Sequence, residues 1–172
     1  LLWSKREHDA AIEAHIPAMR RFALTLTRDR HRADDLVQDA LVASLSNWAG
    51  LRNPDSIKSW LFAILYRRFL SDVRREQGRG EHYSIDEAMG LAIPPEQDEK
   101  LGQSEALRAV ALLPEDQRTV LWLVAIEDLA YADVAKMLGL PLGTVMSRLA
   151  RGRERLRAIL EGGAVIAIRK TK

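Results

Sequence analysis

Between Tyr131 and Leu160, in YADVAKMLGLPLGTVMSRLARGRERLRAIL, two helical repeats meet at a single glycine. Ala135 stands four residues before Gly139 and allows the close crossing of a helix-turn-helix, while Gly139 stops the first helix with a positive φ that costs it no strain. Leu140 and Pro141 make the connection. In the second helix Val145, Leu149, Gly152 and Leu156 fall at i, i+4, i+7 and i+11 and form one buried stripe. Arg148, Arg151 and Arg155 fall at i, i+3 and i+7 on another side, the side a phosphate backbone or a guanine edge would meet. A solvated arginine face on an ordinary helix pair has the same pattern, so this stretch alone leaves both readings open.

The rest of the chain carries the same period. His8 to Thr27 puts Ile12, Ile16, Met19, Ala23 and Leu26 at helical spacing, with Pro17 a point where the helix would start afresh. After a polar break at 28–32, Asp34 and Asp35 read as the opening of a second helix, acids in a first turn where the dipole favours them. Its apolar face is Leu36, Val37, Ala40, Leu41, Ser44 and Leu45, and it closes near Trp48 to Gly50. LRNPDSI is then a loop in which Asp55 or Ser56 caps a third helix, Ile57 to about Glu76. That helix interleaves Trp60, Phe62, Tyr66 and Phe69 with Arg67, Arg68, Arg74 and Arg75. Such a mixture suits single-stranded nucleic acid, whose bases stack on rings while cations follow the backbone, and it equally suits a helix whose aromatics are core.

Gln77 to Gly80 ends this module, and an acidic stretch of low periodicity follows, broken by Pro94 and Pro95, with a weak helix near Asp86 to Leu91. Helical faces resume with Leu107, Val110, Ala111 and Leu113, stop at Pro114, and continue with Val120, Leu121, Leu123, Val124 and Ile126. No strand-period segment appears except the short tail EGGAVIAIRKTK, which Gly162 and Gly163 release and which reads as a strand, a frayed end or a docking peptide. The fold class is therefore all-α: two small helical domains, 1–78 and 101–161, joined by an acidic linker over 79–100 and followed by a tail over 162–172.

Charge order sharpens this division. The net charge is only +2, yet Lys58, Arg67, Arg68, Arg74, Arg75 and Arg79 dominate 56–80, acids dominate 81–105, and five arginines face one acid between Gly139 and Leu160. Basic, acidic, basic is the order of two polyanion-facing modules with an acidic connector.

Enzyme chemistry finds little footing. With no cysteine there is no disulfide frame, thiolate zinc site or thiol nucleophile. His8, His15, His31 and His82 lack metal-ligand spacing, and no glycine-rich phosphate loop or nucleophile elbow occurs. Neither a metal nor a cofactor is expected. Asp34, Asp35 and Asp39 read as a solvated or partner-facing surface. No apolar run is long enough for a membrane span and no signal peptide is visible, so a cytoplasmic protein is expected; the chain begins with Leu1, and its native start is expected to lie upstream.

The order of these features resembles the extracytoplasmic-function class of bacterial sigma factors, which keep the second and fourth conserved regions of the larger family. In the first module FALTLTRDRHRADDLVQDALVASL resembles the stretch with an acidic pair before L-V-Q-[DE], and SIKSWLFAILYRRFLSDVRR resembles the melting segment. LPEDQRTVLWLV, YADVAKMLGLP and GTVMSRLARGRERL resemble the fourth region, and the likeness covers nearly all of residues 10–160.

The resemblance implies that Asp34, Asp35, Leu36, Gln38 and Asp39 dock on the clamp helices of the β′ subunit of core RNA polymerase. It implies that Asn53, Asp55 and Ser56 receive a base flipped from the −10 element, with Lys58, Arg67, Arg68, Arg74 and Arg75 holding promoter DNA. It places Thr144, Ser147, Arg148, Arg151 and Arg155 toward the −35 element, with Met146 where many members have lysine. An anti-sigma factor is an expected partner. Two other functions share parts of this pattern: a sigma-like decoy that sequesters an anti-sigma factor without binding DNA, and a helix-turn-helix repressor.

Overall fold

The computed structural model describes residues 5–51, 53–78 and 101–169, and among them the regular structure is helical. The chain divides into two compact units, residues 1–91 and 92–172. The expected linker and its weak helix lie outside the described residues.

In the first unit α1 (Lys5–Thr27), α2 (Arg30–Ser46) and α3 (Ile57–Gly78) all pack on one another. Met19, Phe22 and Ala23 from α1, Leu36, Val37 and Ala40 from α2, and Leu61, Phe62 and Leu65 from α3 form the core. Phe22 and Phe62 stack at its centre, ring centroids 5.3 Å apart. Each such ring stabilises the fold by roughly 1.5–3 kcal/mol through its burial alone. That burial carries α1 straight through Pro17, which lies exposed inside the helix and starts no new one.

The second helix begins earlier than its acids suggest. Thr27 and Asp29 build the break: Thr27 Oγ1 donates to the Ala23 carbonyl, Arg28 takes a φ of 54°, and Asp29 Oδ1 accepts from the Arg32 N–H at 2.9 Å. Asp29 is thus the N-cap, and Asp34 and Asp35 sit beyond the first turn. Leu45, read as core, is 51 % exposed, and Ala33 and Ala43 take places in the buried face. The loop into α3 contains two short 3₁₀ turns, Trp48–Gly50 and Pro54–Ser56.

In the second unit α4 (Leu101–Ala111) leads to α5 (Glu115–Leu121), which widens into a single π turn, Trp122–Ile126. The helix-turn-helix follows as α6 (Tyr131–Leu138) and α7 (Leu142–Arg169). Gly139 adopts φ 65° and ψ 34°, and both its N–H and that of Leu140 reach the Ala135 carbonyl, the left-handed stop anticipated from sequence. Val145 and Leu149 are buried, and Gly152 lets α7 approach α5: a Cβ there would lie 3.5 Å from Gln117 and from Leu121. Ile126, grouped with the apolar face of Val120, Leu121, Leu123 and Val124, is 38 % exposed while those four are buried. The glycine pair does not release the tail, because α7 continues through Gly162 and Gly163 to Arg169.

Candidate nucleic-acid interface

In the first unit α2 turns Asp34, Asp35, Gln38 and Asp39 outward. Leu36, expected among the docking residues, is 3 % exposed and faces the core; the helical period that brings Asp35 and Asp39 to the surface sends Leu36 inward. Arg20 Nε lies 3.6 Å from Asp34 Oδ1 across an exposed edge. Asp35 and Asp39 line a shallow cleft with Arg32 and Leu36 from α2 and with Asp72, Arg75 and Glu76 from α3. Arg32 pairs with Glu76 and Arg75 with Asp72.

Arg75, expected with the DNA-facing cations, pairs with Asp72 on its own helix. The four arginines of α3 fall in two rows, Arg67 with Arg74 and Arg68 with Arg75, each at i and i+7. Arg75 is exposed and pairs with Asp72 beside the acids of α2; Arg67 and Arg74 are also exposed and share a line with half-buried Trp60 at i−7 from Arg67. Arg67 Nε donates to the Ala63 carbonyl at 3.1 Å, and Lys58 Nζ stands 6.0 Å from the centre of the Phe62 ring.

The loop before α3 is ordered by its own hydrogen bonds. Asn53 Oδ1 accepts from the Asp55 N–H at 3.1 Å, and the Asn53 carbonyl accepts from Ser56 Oγ at 2.7 Å and from the Ser56 N–H. Asn53 and Asp55 remain exposed. At the other end of the loop Trp48 meets His8 of α1, ring centroids 4.9 Å apart, with His8 only 3 % exposed. Sequence reasoning weighed His8 only as a metal ligand; its place one helical turn before Ile12 was the signal that it joins the packed face.

In the second unit the turn positions α7 through Pro141, whose carbonyl accepts from the Thr144 and Val145 N–H groups. Arg151 and Arg155 are exposed, and Ser147 Oγ donates to the Thr144 carbonyl while facing solvent. Arg148 differs from its neighbours: its Nε lies 3.4 Å from Asp116 Oδ2 on α5 and its side chain is 28 % exposed. Glu127, missed from sequence, is buried and accepts from Trp122 Nε1 at 3.2 Å, closing the π turn; buried Arg118 donates to the Leu113 carbonyl. No helix among the described residues is long and apolar enough to cross a membrane.

The comparisons with known proteins agree with this geometry. A model of sigma-70, region 4, matches residues 103–156, and a model of the Sigma2 domain of PhyR matches residues 12–66. The chain is 37 % identical over 149 residues to the ECF RNA polymerase sigma factor EcfG of Rhodopseudomonas palustris, covering 87 % of this chain and 82 % of that protein. It is 30 % identical over 155 residues to the ECF RNA polymerase sigma factor SigM of Mycobacterium tuberculosis, covering 88 % of this chain and 76 % of that one. Among solved structures, the sigma factor RpoE of Bartonella quintana, in complex with the anti-sigma factor NepR, superposes with a TM-score of 0.76 at 29 % identity, over 91 % of this chain and 98 % of that one. Two helical units matched by two sigma models, in a chain this similar to sigma factors over most of its length, belong to one family: the chain is a member of the ECF RNA polymerase sigma factors.

Proposed function

We propose that this chain is an alternative sigma factor that binds core RNA polymerase and directs it to specific promoters, with its two units, working domains 1–78 and 101–161, acting on different promoter elements. The observation that carries the reading is the pairing, in one chain, of an outward acidic helix with an arginine-bearing helix-turn-helix. Asp34, Asp35, Gln38 and Asp39 meet the basic clamp helices of β′, where charge complementarity sets approach and register. The loop through Asn53, Asp55 and Ser56 takes a base flipped from the −10 element, and its internal hydrogen bonds hold the loop in one conformation before the base arrives. Arg67 and Arg74 follow the separated strand beside Trp60, with Lys58 and Arg68 at the flanks. Unstacking a base step costs a few kcal/mol, which these contacts offset.

In the second unit α7 enters the major groove of the −35 element, presenting Ser147 and Arg151 to bases and Arg155 to the backbone, while Thr144 and Arg148 line its flank. RpoE of Bartonella quintana is held by an anti-sigma factor in its structure, which supports a partner of that kind for this chain in the cytoplasm.

Run-off transcription with the purified chain and core polymerase, on promoters selected from a fragment library, tests the proposal. Discrete start sites that need both proteins are expected, together with loss of transcription in Arg151→Ala. A chain that binds promoters equally well without core is a repressor, and one that captures an anti-sigma factor but never supports transcription is a decoy; either result overturns the reading.

A further inference from the structure

The DNA-facing helix carries an apolar stripe that its fold does not use. Val145, Leu149 and Gly152 fill the contact of α7 with α5, yet Leu142 and Met146 are 48 % and 51 % exposed. They stand at i and i+4, and Ala150 continues the line one turn further, also exposed. Ala150 neighbours both Met146, four residues before it, and Ser147, three before it, so the stripe borders the face that carries Ser147 and Arg151, within a helix whose arginines repel any cationic partner and attract a polyanion. At the N-terminal end of a recognition helix, side chains reach base edges before they reach the backbone. In the major groove the one apolar group on those edges is the thymine 5-methyl.

We infer that Met146, supported by Leu142, reads a thymine 5-methyl in the upstream promoter element, which makes it a specificity-determining residue of this sigma factor. The inference rests on the reading of α7 as the −35 helix. A flexible thioether fits such a contact, because it adjusts to a small apolar group without needing fixed hydrogen-bond geometry. Arg155 then supplies sequence-independent affinity, and the stripe adds to the preference set by Ser147 and Arg151.

The test uses the full chain with core polymerase. Duplexes carrying a randomised upstream element are selected for binding, and each thymine in the selected sequences is replaced in turn by deoxyuridine, which removes only the methyl. One position is expected to lose about fourfold in affinity, the worth of one buried methyl. Met146→Ala is expected to bind the thymine and deoxyuridine duplexes equally at that position, and Met146→Lys to shift the selected base away from thymine. Selected elements without a required thymine overturn the inference. So does indifference to every methyl, and if Met146→Ala then weakens an anti-sigma complex the stripe is a protein surface. Arg151→Ala in parallel separates the two failures: if it weakens binding while the methyls do not matter, only the role of Met146 falls; if it has no effect, the −35 reading of α7 falls with it.

Discussion

Arg148 Nε lies 3.4 Å from Asp116 Oδ2, so the flank of α7 is tied to the first turn of α5 by a pair of opposite charges. Arg151, one turn later, has solvent in front of it. The two arginines therefore differ in what they offer DNA. Arg151→Ala is expected to flatten the dependence of promoter affinity on salt by about one unit of log–log slope, the signature of one lost phosphate or base-edge cation. Arg148→Ala is expected to change that slope by less, and to lower stability by no more than about 1 kcal/mol, as partly exposed pairs do. Titrations of promoter binding at several salt concentrations, beside urea denaturation, measure both.

Asp35 and Asp39 face outward over a cleft whose arginines already have carboxylate partners on α3. Converting both to Asn is expected to leave stability within about 0.5 kcal/mol, because neither side chain is buried. Affinity for core polymerase is expected to fall about tenfold, through a slower association rate as well as lost contact. Fluorescence anisotropy of the labelled chain against core polymerase reads the change.

Trp60 and Phe62 lie two residues apart and divide the work of α3. Phe62 is fully buried against Phe22, and Phe62→Ala is expected to destabilise the first unit by about 3–5 kcal/mol. Trp60 is half-buried on the line of Arg67 and Arg74. Trp60→Ala is expected to cost less stability than Phe62→Ala, about 1–3 kcal/mol for the covered part of the ring, and at temperatures where it stays folded to lose transcription from closed duplexes, with recovery on a template whose −10 region is already unpaired.

The stop at Gly139 and the close approach at Gly152 answer to different substitutions. Gly139→Val places a β-branched residue at φ 65° and is expected to cost at least about 1–2 kcal/mol, with Asn at the same position much milder. Gly152→Ala meets Gln117 and Leu121 at ordinary contact distance and is expected to be tolerated, whereas Gly152→Val overfills the contact by about 1–3 kcal/mol. Thermal melts of the four variants give the order.

Much of this was legible in the sequence because helical period is a local property. The stripe of Val145, Leu149 and Gly152 and the left-handed Gly139 could be read directly, since each depends on spacing or on one residue's conformational freedom. Boundaries were harder. Asp29 caps α2 early enough to leave Asp34 and Asp35 beyond the first turn, because Thr27 and the positive φ of Arg28 build the turn just before it, and no single residue announces that arrangement. Side-chain partners across helices were invisible: Arg148 looks like a free cation until α5 supplies Asp116. The partner of Arg75, Asp72, stands three residues earlier on the same helix, a spacing the sequence does carry. Leu36 was read both on the apolar face of its helix, by its period, and among the docking residues, by its neighbours in the motif; its burial agrees with the period. Glu127 and His8 are buried polar groups whose partners, Trp122 and Trp48, lie at distances no periodic pattern encodes.

The pair between Arg32 near the start of α2 and Glu76 near the end of α3 joins these antiparallel helices at one end, while the loop through Trp48 joins them at the other. Fastened at both ends, the two helices make a lever with no free hinge. Under the proposed docking, a polymerase that grips α2 would set the attitude of α3 without touching it, and would bear the torque needed to part the strands.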